Sequence, residues 1–147
     1  MLLGMNRRIL RGALAGALLA LIPAVSACSG GDDAPAESVA AVAFDGSHVP
    51  ADAFAGAAAS EGVTVIDVRT PEEFAAGHLP GAVNIDVSAA TFPAEVATLD
   101  PQADYAVYCQ SGNRSRVALE AMAAAGVEHT VGLEGGIGAW GGEVVTG

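Results

Sequence analysis

With 147 residues, seventeen acidic against six basic side chains and a formal charge of −11, the chain has material for one compact core and not for two domains. The acidic balance excludes nucleic acid as a partner. No spacing of His, Cys, Asp and Glu matches a zinc site and no glycine-rich run matches a P-loop, so no metal and no cofactor is expected.

Three of the six cations, Arg7, Arg8 and Arg11, precede an apolar stretch over residues 12–25 that is short and rich in small side chains. This pattern predicts a signal peptide over residues 1–27 rather than a retained membrane helix. It ends in Val25-Ser26-Ala27-Cys28, which resembles a bacterial lipoprotein box. Cys28 would become the lipid-bearing first residue of an exported, membrane-anchored chain on the outer face of a bacterial membrane. Residues 28–38, with Gly30, Gly31, Asp32, Asp33 and Pro35, have no apolar periodicity and are expected to form a flexible tether. The domain proper is expected over residues 39–147.

Within the domain, residues 39–44 suggest a first strand and residues 52–59 a helix. Residues 63–68 form a β-branched run, followed at once by Thr70 as N-cap, Pro71 at the first helical position and Glu73 completing a capping box. Gly77 suits the left-handed position that ends such a helix. His78-Leu79-Pro80-Gly81 is a turn into a strand over residues 82–85. A helix over 92–99, a strand over 105–108, a helix over 116–125 and a strand over 128–131 continue the alternation. Trp140 is expected to fill the gap between the last helix and the sheet. Strands alternating with helices predict an α/β fold, a central, mostly parallel five-stranded sheet flanked by helices on both faces.

Cys109 stands where the apolar run 105–108 meets a short polar loop, Gln110-Ser111-Gly112-Asn113-Arg114-Ser115. At the carboxyl end of a strand and the start of a helix, unpaired backbone N–H groups and the helix dipole converge on the sulfur and favour thiolate. Such a group attacks sulfur or phosphorus and holds the resulting anion. If Cys28 carries lipid, Cys109 is the one remaining thiol and has no disulfide partner. All seventeen acidic residues follow Cys28 in the sequence, whereas the only cations there are Arg69, Arg114 and Arg116, and two of these lie within or just after the Cys109 loop. The junction at Asp67 and Arg69 is expected on the same rim.

Five separated motifs resemble the rhodanese (thiosulfate sulfurtransferase-like) family, from residue 39 to the C-terminus. They are Val65-Ile66-Asp67-Val68-Arg69, Pro71-Glu72-Glu73-Phe74, Gly77-His78-Leu79-Pro80-Gly81-Ala82 with Asn84-Ile85, the Cys109 loop, and Leu133-Glu134-Gly135-Gly136 with Trp140. The resemblance implies a sulfurtransferase in which Cys109 takes the outer sulfur of a small anionic donor such as thiosulfate as a persulfide and passes it to a thiol or cyanide acceptor. Gln110, Ser111, Gly112, Asn113, Arg114 and Ser115 would bind substrate. Within that set Gly112 allows the loop to bend, Arg114 holds the donor's oxygens, and Ser115 is either a substrate contact or the N-cap of the next helix. Asp67, Arg69 and Arg116 have supporting roles, Arg69 as an ion-pair residue fixing the strand-to-helix turn beside Glu72 and Glu73, and Asp67 orienting the neighbouring loop. His78 is expected to be structural, and His48 and His129 have no evident partner.

Two alternatives stand beside this reading. A phosphatase or arsenate reductase places five residues between Cys and Arg, whereas four separate Cys109 from Arg114 and six separate it from Arg116. A non-catalytic binding or sulfur- and redox-sensing module would use the same thiol without turnover.

Overall fold

A computed structural model describes residues 41–147. The expected signal peptide, lipidation site and tether lie outside these residues. The elements run β1 (His48–Val49), α1 (Ala51–Ala58), β2 (Thr64–Asp67), α2 (Pro71–Ala76), β3 (Val83–Asn84), α3 (Phe92–Val96), β4 (Tyr105–Tyr108), α4 (Asn113–Ala124) and β5 (Thr130–Leu133), with a 3₁₀ turn at Gly136–Ala139. The strands form one five-stranded sheet in the order β1-β5-β4-β2-β3, and all four pairings are parallel. This is the α/β architecture expected, a parallel five-stranded sheet with helices on both faces.

Period-two alternation along β4 divides the core. Tyr105 and Val107, with Cys109 beyond them, pack with Ile66, Phe92, Leu119 and Met122 under α3 and α4. Ala106 and Tyr108 face the other way, onto Phe54 of α1 with Val131 and Leu133 of β5. All four residues of β4 are buried, as expected of a central parallel strand covered on both faces. Trp140 belongs to the α1 side, edge-on to Phe54 at 6.2 Å, so it does not fill a gap beside α4, which covers the opposite face.

The first strand is displaced from its expected place. Residues 41–44 have no regular structure, and Val42 and Phe44 instead pack against the α1-side core. The strand is β1, where His48 pairs with Gly132 and Val49 with Leu133. Two residues are too few to carry a periodic signal, whereas the apolar 41–44 run carried one without a partner strand.

The Thr70 cap forms as expected: Glu73 N–H donates to Thr70 Oγ1 at 3.3 Å and Thr70 N–H to Glu73 Oε2 at 3.2 Å. Gly77 does not take the left-handed conformation. Its φ of 162° is extended, and its carbonyl turns to Arg69. Helix α4 starts three residues before the expected position, with Gly112 rather than Ser115 as its N-cap. Ser115 lies inside the first turn, and its hydroxyl donates back to the Gly112 carbonyl at 3.0 Å. The apolar periodicity that marks a helix begins only at Val117, because the first turn is polar and faces the loop.

Candidate active site

Cys109 directly follows β4 at the middle of the sheet, where the chain turns into α4. Gly112 N–H donates to Sγ at 3.1 Å, and Ser115 Oγ lies 3.7 Å from the sulfur. Burial pushes the Cys109 thiol up, but the backbone N–H groups of Ser115, Ser111 and Gly112 and the Ser115 hydroxyl outweigh it and hold the thiol below its ordinary value. The twelve-residue α4 adds the positive end of its dipole. Donors already aimed at sulfur can hold negative charge there without reorganising. Cys109 itself is fully covered.

Two glycines make this cradle possible. Gly112 has φ +91°, a left-handed conformation that leaves its N–H pointing at sulfur. Gly136 has φ +62°, and a Cβ there would overlap the Cys109 carbonyl and the Gln110 and Ser111 backbone. The turn after β5 can therefore lie directly against the loop, and Ile137 and Gly138 N–H donate to the carbonyls of Cys109 and Gln110 at 2.8 and 3.2 Å.

Asp67 and Arg69 support the loop from β2. Arg69 Nη2 donates to Asp67 Oδ2 at 2.6 Å, its Nε reaches both carboxylate oxygens at 3.0 Å, and both residues are buried. The partner in this ion pair is Asp67, two residues back, and not Glu72 or Glu73. The remaining donors tie three segments together: Nη2 reaches the Gly77 carbonyl at 2.6 Å and Nη1 reaches Gln110 Oε1 at 3.4 Å. The guanidinium lies 5.7 Å from the centre of the Tyr108 ring. Asp67 thus acts on the Cys109 loop through Arg69 and Gln110.

Arg114 donates to both oxygens of Glu73, at 2.6 and 2.8 Å, so the first turns of α2 and α4 are joined across the rim. This bidentate contact, with the Thr70 N–H, lowers the Glu73 carboxyl to about 2. The contact contributes stability above the usual carboxylate range and loses it only as pH falls toward 2. Among the described residues Arg116 makes no ion pair. Arg114 must leave Glu73 before both its donor edges can serve an anion. If the chain takes an anionic donor such as the thiosulfate its resemblance implies, Glu73→Gln, which keeps a capping side chain, is expected to lower KM for that donor several-fold, and Arg114→Ala to raise it. Neither substitution should change alkylation by a neutral reagent. Steady-state kinetics beside alkylation rates check this; equal losses in both assays for Arg114→Ala would make Arg114 a support of the thiolate instead.

The histidines divide differently from expectation. His78 is structural, its Nδ1 2.9 Å from the Phe74 carbonyl and its ring stacked on Phe74 at 3.7 Å. His129, on the surface, lies 3.7 Å from the Asp104 carboxylate. His48 has a partner after all: its Nε2 is 2.8 Å from Ser115 Oγ, which itself neighbours Cys109 Sγ. His48 and Ser115 lie 67 positions apart in the sequence, so no local spacing could reveal the contact. The one trace in the sequence is Gly132, a glycine inside a buried strand, which marks a close approach.

The profile of the rhodanese-like domain matches residues 50–143. YtwF of Bacillus subtilis is 40% identical over 85 residues, 58% of this chain and 80% of that protein. Thiosulfate sulfurtransferase GlpE of Pseudomonas entomophila is 34% identical over 82 residues, 55% of this chain and 72% of GlpE. A crystal structure of a rhodanese-like domain protein from Staphylococcus aureus superposes with a TM-score of 0.61 at 31% identity, covering 69% of this chain and 98% of that one. A buried thiol cradled at the end of the central parallel strand, a buried Asp–Arg pair bracing its loop and these likenesses together place the chain in the rhodanese-like sulfurtransferase family.

Proposed function

We propose that the chain moves sulfane sulfur from thiosulfate or a similar small anionic donor to a thiol or cyanide acceptor through a persulfide on Cys109. The observation that carries this reading is the Gly112 N–H aimed at Cys109 Sγ at 3.1 Å with the Ser115 hydroxyl 3.7 Å away, at the N-terminus of α4, in surroundings that hold the thiol below its ordinary value. The Cys109 thiolate attacks the donor's outer sulfur, the S–S bond to sulfite breaks, and sulfite leaves with the bonding pair. The acceptor thiolate or cyanide then attacks the outer persulfide sulfur and returns Cys109 as thiolate. The loop N–H groups stabilise the anionic sulfur in both half-reactions. The name of the GlpE relative supports thiosulfate as the donor.

The same proposal places the domain outside the cytoplasm, exported by residues 1–27 and tethered by lipid on Cys28 and by residues 28–38. The arginines ahead of a short apolar stretch and the Val25-Ser26-Ala27-Cys28 sequence support it. A sensing or binding module is favoured by one feature, the complete covering of Cys109 with Arg114 engaged by Glu73. Intact mass separates the two. After thiosulfate the purified protein is expected to carry one added sulfur that cyanide removes with each turnover. A thiol that stays free across a range of sulfane donors in the folded protein would reject sulfur transfer.

A further inference from the structure

We propose that His48 is a positioning residue for the Cys109 thiolate, acting as the outer donor of a hydrogen-bond chain that runs from His48 Nε2 to Ser115 Oγ to Cys109 Sγ. The proposal rests on the reading of Cys109 as the reactive thiol and adds the group that orients its hydroxyl partner.

Donor accounting sets the direction of the chain. Ser115 has one hydroxyl proton and two lone pairs. With Cys109 protonated, S–H points to Ser115 Oγ at 3.7 Å and the hydroxyl donates to the Gly112 carbonyl at 3.0 Å. The remaining lone pair is free to accept from His48 Nε2–H at 2.8 Å. When the thiol ionises, sulfur needs a donor, and the Ser115 proton can turn from Gly112 to sulfur while Oγ still accepts from His48. Each donor in such a chain polarises the next. Remove His48, and the hydroxyl loses the anchor that holds its oxygen beside the sulfur.

The fold makes room for this contact at a specific cost in side chain. His48 stands opposite Gly132 on β5, and its ring occupies the space over that residue; a Cβ at Gly132 would lie 2.5 Å from Nε2. The imidazole thereby crosses β5 under the first turn of α4, where Ser115 waits. A cleft of about 370 Å³ lined by His48, Arg116, Leu119 and Glu120 opens on the same side. The charged groups facing the ring are Arg116 and Glu120 from α4 and Glu134 from the end of β5. Burial, followed by Arg116, lowers the His48 imidazolium and outweighs Glu134; the donor role given to Nε2 comes from the Ser115 hydroxyl being spent on the Gly112 carbonyl.

The test is the pH dependence of Cys109 alkylation by iodoacetamide in the folded full-length protein carrying Cys28→Ala, so that Cys109 is its one thiol; the measurement requires no sulfur transfer. His48→Phe fills the space over Gly132 without a donor and is expected to move the midpoint of the rate profile up by about one pH unit. His48→Gln places an amide donor near the position of Nε2 and should recover at least half of that shift. In a Ser115→Ala background His48→Phe should have no further effect. His48→Met, flexible enough for the same space, replaces His48→Phe if the phenylalanine variant does not fold. A wild-type midpoint in the Phe or Met variant, a glutamine variant no better than phenylalanine, or an undiminished effect in Ser115→Ala overturns the proposal. Normal thiosulfate turnover with an unmoved profile would reject only the role of His48, whereas a moved profile in a protein that never takes up sulfur would reject only the sulfur-transfer reading.

Discussion

Replacement of Cys109 by serine is expected to abolish sulfur transfer, lowering turnover by about a thousandfold or more, because a hydroxyl forms no persulfide and the cradle has nothing else to charge. The change substitutes one oxygen for one sulfur in a buried position whose neighbours are the Gly112 N–H and the Ser115 hydroxyl, both able to bond oxygen, so the fold should survive. Cys28→Ala is expected to do the reverse. If Cys28 carries lipid as proposed, the substitution should leave thiosulfate turnover intact and abolish that modification, and the sequence 29–38 offers no bulky apolar side chain to hold a membrane in its place. Intact mass after thiosulfate, lipid labelling and membrane fractionation on both variants check the pair. Persistent sulfur uptake by Cys109→Ser, or loss of turnover in a folded Cys28→Ala protein, would overturn this division between the two cysteines.

The largest expected effect on stability comes from Asp67→Ala. The Asp67 side chain is 0% exposed and Arg69 is 4% exposed, so the substitution strands a guanidinium in the interior with only the Gly77 carbonyl and Gln110 to meet it. Breaking a buried pair in this way costs roughly 3–5 kcal/mol, and for a domain of this size lowers Tm by roughly 10 °C or more. Replacing both partners, as in Asp67→Leu with Arg69→Met, should recover much of the loss, because the uncompensated charge goes with Arg69. Thermal and urea denaturation of the single and double variants measure the coupling. A loss below about 1 kcal/mol for Asp67→Ala would mean that water or a side-chain rearrangement reaches Arg69.

The two variants also separate chemistry from support. Cys109→Ser should leave Tm close to that of the parent, whereas Asp67→Ala should lose turnover only as far as the 110–115 loop loosens. Restoring turnover in the double variant along with Tm would show that the pair acts on the loop as a brace.

Local chemistry made much of this protein legible in its sequence. A Thr-Pro-Glu-Glu start to α2 specifies its own cap because donor and acceptor lie three residues apart, and the structure forms it as read. The β-branched or aromatic runs at β2 and β4, followed directly by helix signals, foretold a parallel sheet with Cys109 at a strand's carboxyl end. Elements whose signals are non-local went astray: β1 is two residues long and exists only by pairing with β5, and α4 starts early because its first turn is shaped by the loop around the sulfur rather than by an apolar stripe. The tertiary structure alone decided which charges meet. Arg69 turned back to Asp67, Arg114 crossed to Glu73, and His48 reached Ser115 over the bare backbone of Gly132. Composition and spacing report which ionisable groups a chain owns and what each can do, but ion pairs and donor chains form between groups far apart in sequence, and only the packing of strands and helices sets those distances.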